Sequence, residues 1–147
     1  MNIYEINDIG ALIKDNSYVG RGIVIGKTPD AKKAAVAYFI MGRSENSRNR
    51  VFTEKDGAVF TEPFDASRVE DPSLIIYAAL REHENKLIVT NGDQTDTIWN
   101  GVKAGKSFSE SLTSREFEPD HPNLTPRISA MLTFADNDFT YDISSFV

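Results

Sequence analysis

Between Gly42 and Arg50 the chain reads Gly-Arg-Ser-Glu-Asn-Ser-Arg-Asn-Arg, three arginines, two serines and two asparagines in nine residues, directly behind an apolar stretch at 34–41. The 147-residue chain is acidic overall, with a formal charge of -6, so a cationic knot at a strand end calls for a chemical reason. A guanidinium fork binds anions through two parallel N–H donors, and serine and asparagine add short, directional hydrogen bonds. That inventory suits a phosphate carried with a ribose or a heterocycle. A solvated, arginine-rich hairpin loop is the competing reading.

Three more polar clusters interrupt the apolar pattern: Tyr18-Val19-Gly20-Arg21-Gly22, Asn91-Gly92-Asp93-Gln94-Thr95-Asp96, and the stretch 118–127 that ends Thr125-Pro126-Arg127. Each falls at a strand end or a strand-to-helix junction, where binding and catalytic groups collect. Singly they are weak. Gly20 and Gly22 could merely permit close packing or a bulge around Arg21, and Asn91-Gly92-Asp93 could be a turn followed by a helix cap.

Other chemistries are poorly supplied. The absence of cysteine excludes disulfides, thiolate nucleophiles and zinc–thiolate sites. His83 and His121 are the only histidines and belong to no ligand spacing; His83, in a polar turn, is expected to be exposed. Asp93 with Asp96 could hold magnesium, but a helix-capping pair explains them as well. No Walker loop, dinucleotide fingerprint or Gly-x-Ser-x-Gly elbow occurs. Neither a metal nor a cofactor is called for. The acidic balance argues against duplex nucleic acid as a partner. No apolar run is long enough to span a membrane and Met1-Asn2-Ile3-Tyr4-Glu5 is not a signal peptide, so the expected setting is the cytoplasm, with homo-oligomers left open.

The elements that must position these groups are mostly hairpins. Residues 18–26 and 34–41 read as two strands around Lys27-Thr28-Pro29-Asp30, apolar on both faces and therefore expected to be covered on both. Strands at 51–54 and 58–61 surround Lys55-Asp56-Gly57, and strands at 74–80 and 86–90 surround His83-Glu84-Asn85. A last pair, 128–134 and 139–143, turns at residues 135–138. The segment 3–14 has an apolar rhythm that suggests a short helix. A helix begins near Asp93 or Thr95, either of which could cap it, and carries Ile98 and Val102 on one face. Gly105 is a plausible stop, and Ser107 caps a second helix bearing Phe108 and Leu112. Hairpins first and helices grouped afterwards describe an α+β fold in a single domain, 1–147.

Taken in order, Tyr18-x-Gly20-Arg21, Gly42-Arg43-Ser44 through Asn49-Arg50, Asn91-Gly92-Asp93-x-Thr95-Asp96 and Thr125-Pro126-Arg127-Ile128 resemble the archaeal-type IMP cyclohydrolase family and its bacterial relatives. The resemblance runs from about Tyr18 to Ser129. It implies a fold like that of the N-terminal nucleophile hydrolases, an αββα sandwich of stacked antiparallel sheets flanked by helices. Members of that family run on beyond this length, so it also implies a shortened member. The implied reaction is ring closure of 5-formamidoimidazole-4-carboxamide ribotide to IMP and water, the last step of purine biosynthesis. A non-catalytic ribotide-binding domain of the same fold is the alternative. Amide hydrolysis is disfavoured, since neither a cysteine nor an N-terminal Ser or Thr is present.

By the same resemblance, Arg43 falls on the family's arginine at the reaction centre, and Ser44, Asn49 and Arg50 on its downstream contacts. Arg48 stays open between substrate and surface. Tyr77 falls where the family has a tyrosine able to donate to the formyl or carboxamide oxygen, although a core aromatic is an equal reading. Glu118 is the candidate general base, with Asp120 competing. Arg21, Asn91, Gly92, Asp93, Thr95, Thr125 and Arg127 are the remaining substrate-binding candidates, and Arg21, Arg43, Arg50 and Arg127 should converge on one pocket.

Overall fold

The computed structural model describes residues 6–69, 72 and 75–146. Among the described residues, eight strands form two antiparallel sheets. The smaller is a hairpin of β1 (Arg21–Lys27) and β2 (Ala34–Ile40). The larger is a six-stranded meander in sequence order: β3 (Val51–Lys55), β4 (Ala58–Glu62), β5 (Tyr77–His83), β6 (Lys86–Thr90), β7 (Arg127–Ala135) and β8 (Asp138–Phe146). Helix α3 (Gln94–Lys103) and helix α4 (Phe108–Leu112) fill the connection between β6 and β7, while α1 (Ile9–Ile13) and α2 (Glu45–Arg48) are one-turn pieces. The chain is α+β, and its two antiparallel sheets with helices are consistent with a sandwich.

Turn chemistry sets the registers. Asp56 and Gly57 both take positive φ between β3 and β4, as do Asp136 and Asn137 between β7 and β8. Those are the angles of the tight two-residue turn that matches strand twist. Gly105, at φ +81°, ends the α3 segment, and Ser107 caps α4 in a reciprocal box with Glu110.

The core lies between α3, α4 and one face of the large sheet, where Ile88, Ile98, Phe108, Leu112 and Met131 cluster. Full burial of each such side chain contributes about 1.5–3 kcal/mol. Because Ile88 points at the helices, Val89 and its cross-strand partners Leu80 and Ala130 point the other way, toward the face crossed by β1 and β2. Tyr77 also reaches that side, meeting Tyr38 of β2. Residues 77 and 80 could not share a face in a regular strand. A register shift makes it possible: Val59 pairs with Leu80 but Phe60 with Ala78, leaving Ala79 as an extra residue. Such a bulge turns a side chain to the opposite face.

Several expectations are corrected. The β1–β2 hairpin is not covered on both faces; residues 21–26 are all half-buried, and β2 alternates half-buried and exposed from Ala34 to Tyr38. Its outward residues Ala35 and Ala37 are small enough to face water at little cost. Asp93 occupies the N-cap position of α3 without a side-chain cap bond, because its carboxylate is drawn to arginines instead. Thr95 does not cap either; its hydroxyl is shared with Thr90. His83 is half-buried, edge-on to Trp99. The first helix shrinks to Ile9–Ile13, with residues 1–5 outside the described part, as is Leu74 of the expected fifth strand.

Candidate active site

The loop after β2 folds back on itself because residue 42 has no side chain. A Cβ on Gly42 would lie 2.3 Å from the Ser47 carbonyl group. Ser44 then caps α2, exchanging hydrogen bonds with Ser47. Arg43 emerges beside Tyr18, its guanidinium 5.2 Å from the ring centroid, and donates to Asn123 Oδ1 of the loop before β7. Arg50 is held by its Nε, which donates to Ser47 O at 2.7 Å, while its Nη1 is buried without a partner among the described residues. Arg48 is exposed and donates to the Arg43 carbonyl.

Tyr18, Arg43, Ser44, Ser47 and Arg50, but not Arg48, line a cavity of about 310 Å³ closed on its other side by Glu118, Asp120, Asn123 and Thr125. Arg21 of β1 joins the two sides: its Nη1 lies 2.6 Å from Glu118 Oε1 and also donates to Asn91 O. Burial pushes the Glu118 carboxyl above the usual carboxylate range, against the opposing pull of Arg21. Burial works against the charge on Arg21, but the Glu118 carboxylate outweighs it and holds the guanidinium more firmly protonated. Asp120 accepts hydrogen bonds from the backbone N–H and hydroxyl of Thr125, which fixes the loop. Of the two competing acids, Glu118 therefore has the cation beside it.

Arg127 stands one layer behind. It is 6% exposed, and its Nη1 donates to Asp93 and to Gln94 Oε1. Gly92 is the seam between layers: an added Cβ would stand 2.7 Å from Gln94 Oε1, 2.9 Å from Arg127 Nη1 and 3.2 Å from Glu118 Oε1. Asp93 also accepts from Arg115; burial alone would raise its carboxyl, but Arg115 and Arg127 bring it below the usual value.

Of the four arginines expected to converge, Arg21, Arg43 and Arg50 line the cavity, and Arg127 does not. The expectation of full convergence is corrected, because Arg127 is drawn under Gly92 by Asp93 and Gln94. Ser44 and Thr125 are at the cavity; Asn49, Asn91, Gly92, Asp93 and Thr95 are not among its lining. Asn49 clamps the backbone of Asp65 through both ends of its amide. Asn91 bridges Pro126 O and Ile128 N, extending the β6–β7 ladder by a side chain. Tyr77 is buried and is not among the cavity's lining either; its hydroxyl lies 2.8 Å from that of Tyr38. Asp96 pairs with Arg81, so it does not join Asp93 in a metal site, and no group of three His, Asp or Glu placed to hold an ion occurs among the described residues.

Tyr38, Asn123 and Arg115 escaped the sequence reading. Asn123 lies inside a cluster that was recognised, so its loop carried a signal. Tyr38 sits in a run of apolar strand residues with nothing to mark it.

Residues 18–145 match the model of a family described as IMP cyclohydrolase-like protein. The chain belongs to that family. It is 35% identical over 115 residues to an IMP cyclohydrolase of Methanopyrus kandleri, covering 76% of this chain and 57% of the relative. Similar proteins of the same name from Methanococcus aeolicus and Methanothrix thermoacetophila are each 32% identical, over 82% and 79% of this chain. The matched stretch spans 64% and 58% of those two relatives. The cyclohydrolase-like family is thus matched across the arginine loop, the Glu118 loop and the last hairpin.

Proposed function

We propose that the chain is an IMP cyclohydrolase acting in the cytoplasm on 5-formamidoimidazole-4-carboxamide ribotide. The observation that carries this reading is the Arg21–Glu118 pair facing Arg43 and Arg50 across one cavity, in a chain whose family relatives bear that enzyme's name. The carboxamide nitrogen is a poor nucleophile, its lone pair delocalised into the carbonyl. The site must hold the formyl carbon against it, take a proton and stabilise the oxyanion.

Glu118 takes one proton from the carboxamide nitrogen as that nitrogen bonds to the formyl carbon. Its raised pKa makes it a stronger base than an ordinary carboxylate. The formyl oxygen takes a proton from Tyr77 and becomes a hydroxyl, with Arg43 offsetting the charge in between. The hydroxyl then leaves as water with the proton from Glu118, and the formamido N–H proton returns to the Tyr77 oxygen. Both residues end as they began. Arg50 and Ser44, with Thr125 opposite, suit the ribotide phosphate and ribose.

The chain's match to only 57–64% of the three relatives named above favours one further reading, a domain that binds the ribotide without turning it over. Incubating the purified chain with the formylated ribotide and following IMP by ultraviolet absorbance separates the two. Formation of IMP that is lost in Glu118→Gln supports the enzyme. Saturable ribotide binding with no IMP formed would leave the binding domain.

A further inference from the structure

We propose that Tyr38 is a positioning residue for the ring-closing reaction, donating a hydrogen bond to the Tyr77 hydroxyl so that the Tyr77 proton is directed toward the Glu118 side of the site. The inference rests on the cyclohydrolase reading above. It starts from two part-buried hydroxyls 2.8 Å apart on different sheets, for each of which the other is the hydrogen-bond partner. One hydrogen lies between them, so the other is free to point elsewhere.

Charge decides which. Arg21 and Arg50 act on both hydroxyls, but the Glu118 carboxylate acts on Tyr77. A negative group attracts the positive end of the O–H dipole, so Tyr77 turns its hydrogen to Glu118 and receives the one from Tyr38. Burial pushes both phenols above the ordinary tyrosine value. When Tyr77 releases its proton, its oxygen is left facing the Tyr38 hydroxyl, Arg21 and Arg50. The β5 bulge is what turns Tyr77 to this face, and Phe52 holds the Tyr38 ring edge-on at 5.8 Å.

Tyr38→Phe keeps the ring and its contact with Phe52 and removes only the hydroxyl. In the full chain, kcat for IMP formation should fall about 10-fold with KM changed less than 3-fold, the range for loss of one neutral hydrogen bond of about 1.5 kcal/mol. In a Tyr77→Phe background the same change should leave kcat within 2-fold, because Tyr38 acts through Tyr77. Unchanged kcat in Tyr38→Phe, or an equal fall in both backgrounds, would overturn the proposal. A readout independent of turnover is tyrosine labelled at the ζ-carbon and followed by NMR: at a given alkaline pH, a smaller fraction of Tyr77 should ionise in Tyr38→Phe than in the wild type. Equal ionisation overturns the Tyr38–Tyr77 hydrogen bond itself even in a chain that makes no IMP. Absence of IMP from the wild type, with the NMR difference present, refutes the reaction and leaves the hydroxyl pair.

Discussion

Arg43 has two contacts that orient it without neutralising it: the face of Tyr18 and the amide oxygen of Asn123. Among the described residues it pairs with no carboxylate, unlike Arg21 and Arg127. A guanidinium so held is available to an oxyanion. Arg43→Ala is expected to lower turnover about 100- to 1,000-fold, the cost of losing an oxyanion donor. Arg43→Lys should recover little of it, since an ammonium reproduces neither the fork nor the stacking on Tyr18. Steady-state kinetics of the two variants check this, and near-normal turnover in the lysine variant would reduce Arg43 to a source of field. The place of this residue at a polar cavity could be anticipated from the sequence, because arginines gathered in an acidic chain stand out. Tyr38 could not, because a tyrosine in an apolar strand reads as core until its partner across the sheets is known.

Among the elements, the hairpins were legible where turn residues and β-branched runs agree, as at Asp56-Gly57 and Asp136-Asn137. The bulge at Ala79 was not, since an extra residue leaves no mark in an alternation that is already mostly apolar. Nor was the fate of Asp93: local rules place an Asp there as a cap, and two arginines 22 and 34 residues away compete successfully for it. The same long-range pairing ties β1 to the 118 loop. Arg21→Ala would strand a 4% exposed carboxylate and should destabilise the fold by about 3 kcal/mol at neutral pH. The deficit should depend on pH with a definite sign. Losing Arg21 raises further a carboxyl whose folded pKa already exceeds its unfolded value, so the folded variant takes up the proton more readily than the unfolded chain. Its stability is therefore fully present below the unfolded carboxylate value and is lost as pH rises through the folded one. Urea melts at pH 4 and pH 7 should show the smaller gap from wild type at pH 4.

For the molecule as a whole, the small sheet is fastened to the large one by a few polar cross-links: Arg21 to Glu118, Tyr38 to Tyr77, and Lys27 to Asp138 at the far end. The hairpin β1–β2 has no fully buried residue of its own. A ligand lying between Arg43 or Arg50 and Glu118 adds a further fastening. At 100-fold excess over its Kd, IMP should stabilise the chain by about 2.7 kcal/mol. Amide exchange should slow most in residues 21–26 and 34–40 and least in the helix-backed strands β6 and β7. Uniform protection across both sheets would show that the cavity does not join them.

The meander has a kinetic corollary. Each strand of the large sheet pairs with its immediate neighbour in the chain, so the pairing entropy of each tight hairpin is small, the longer excursions being residues 63–76 between β4 and β5 and the stretch through α3 and α4 between β6 and β7. The contacts that build the cavity are of the other kind: Arg21 meets Glu118 across 97 residues, and Arg43 meets Asn123 across 80. Loops that long close late on a folding path, after local pairings have formed. Substitutions at Arg21 or Asn123 should accordingly accelerate unfolding while leaving the refolding rate nearly untouched, which makes the pocket the part of the molecule that sets how long it stays folded rather than how quickly it gets there.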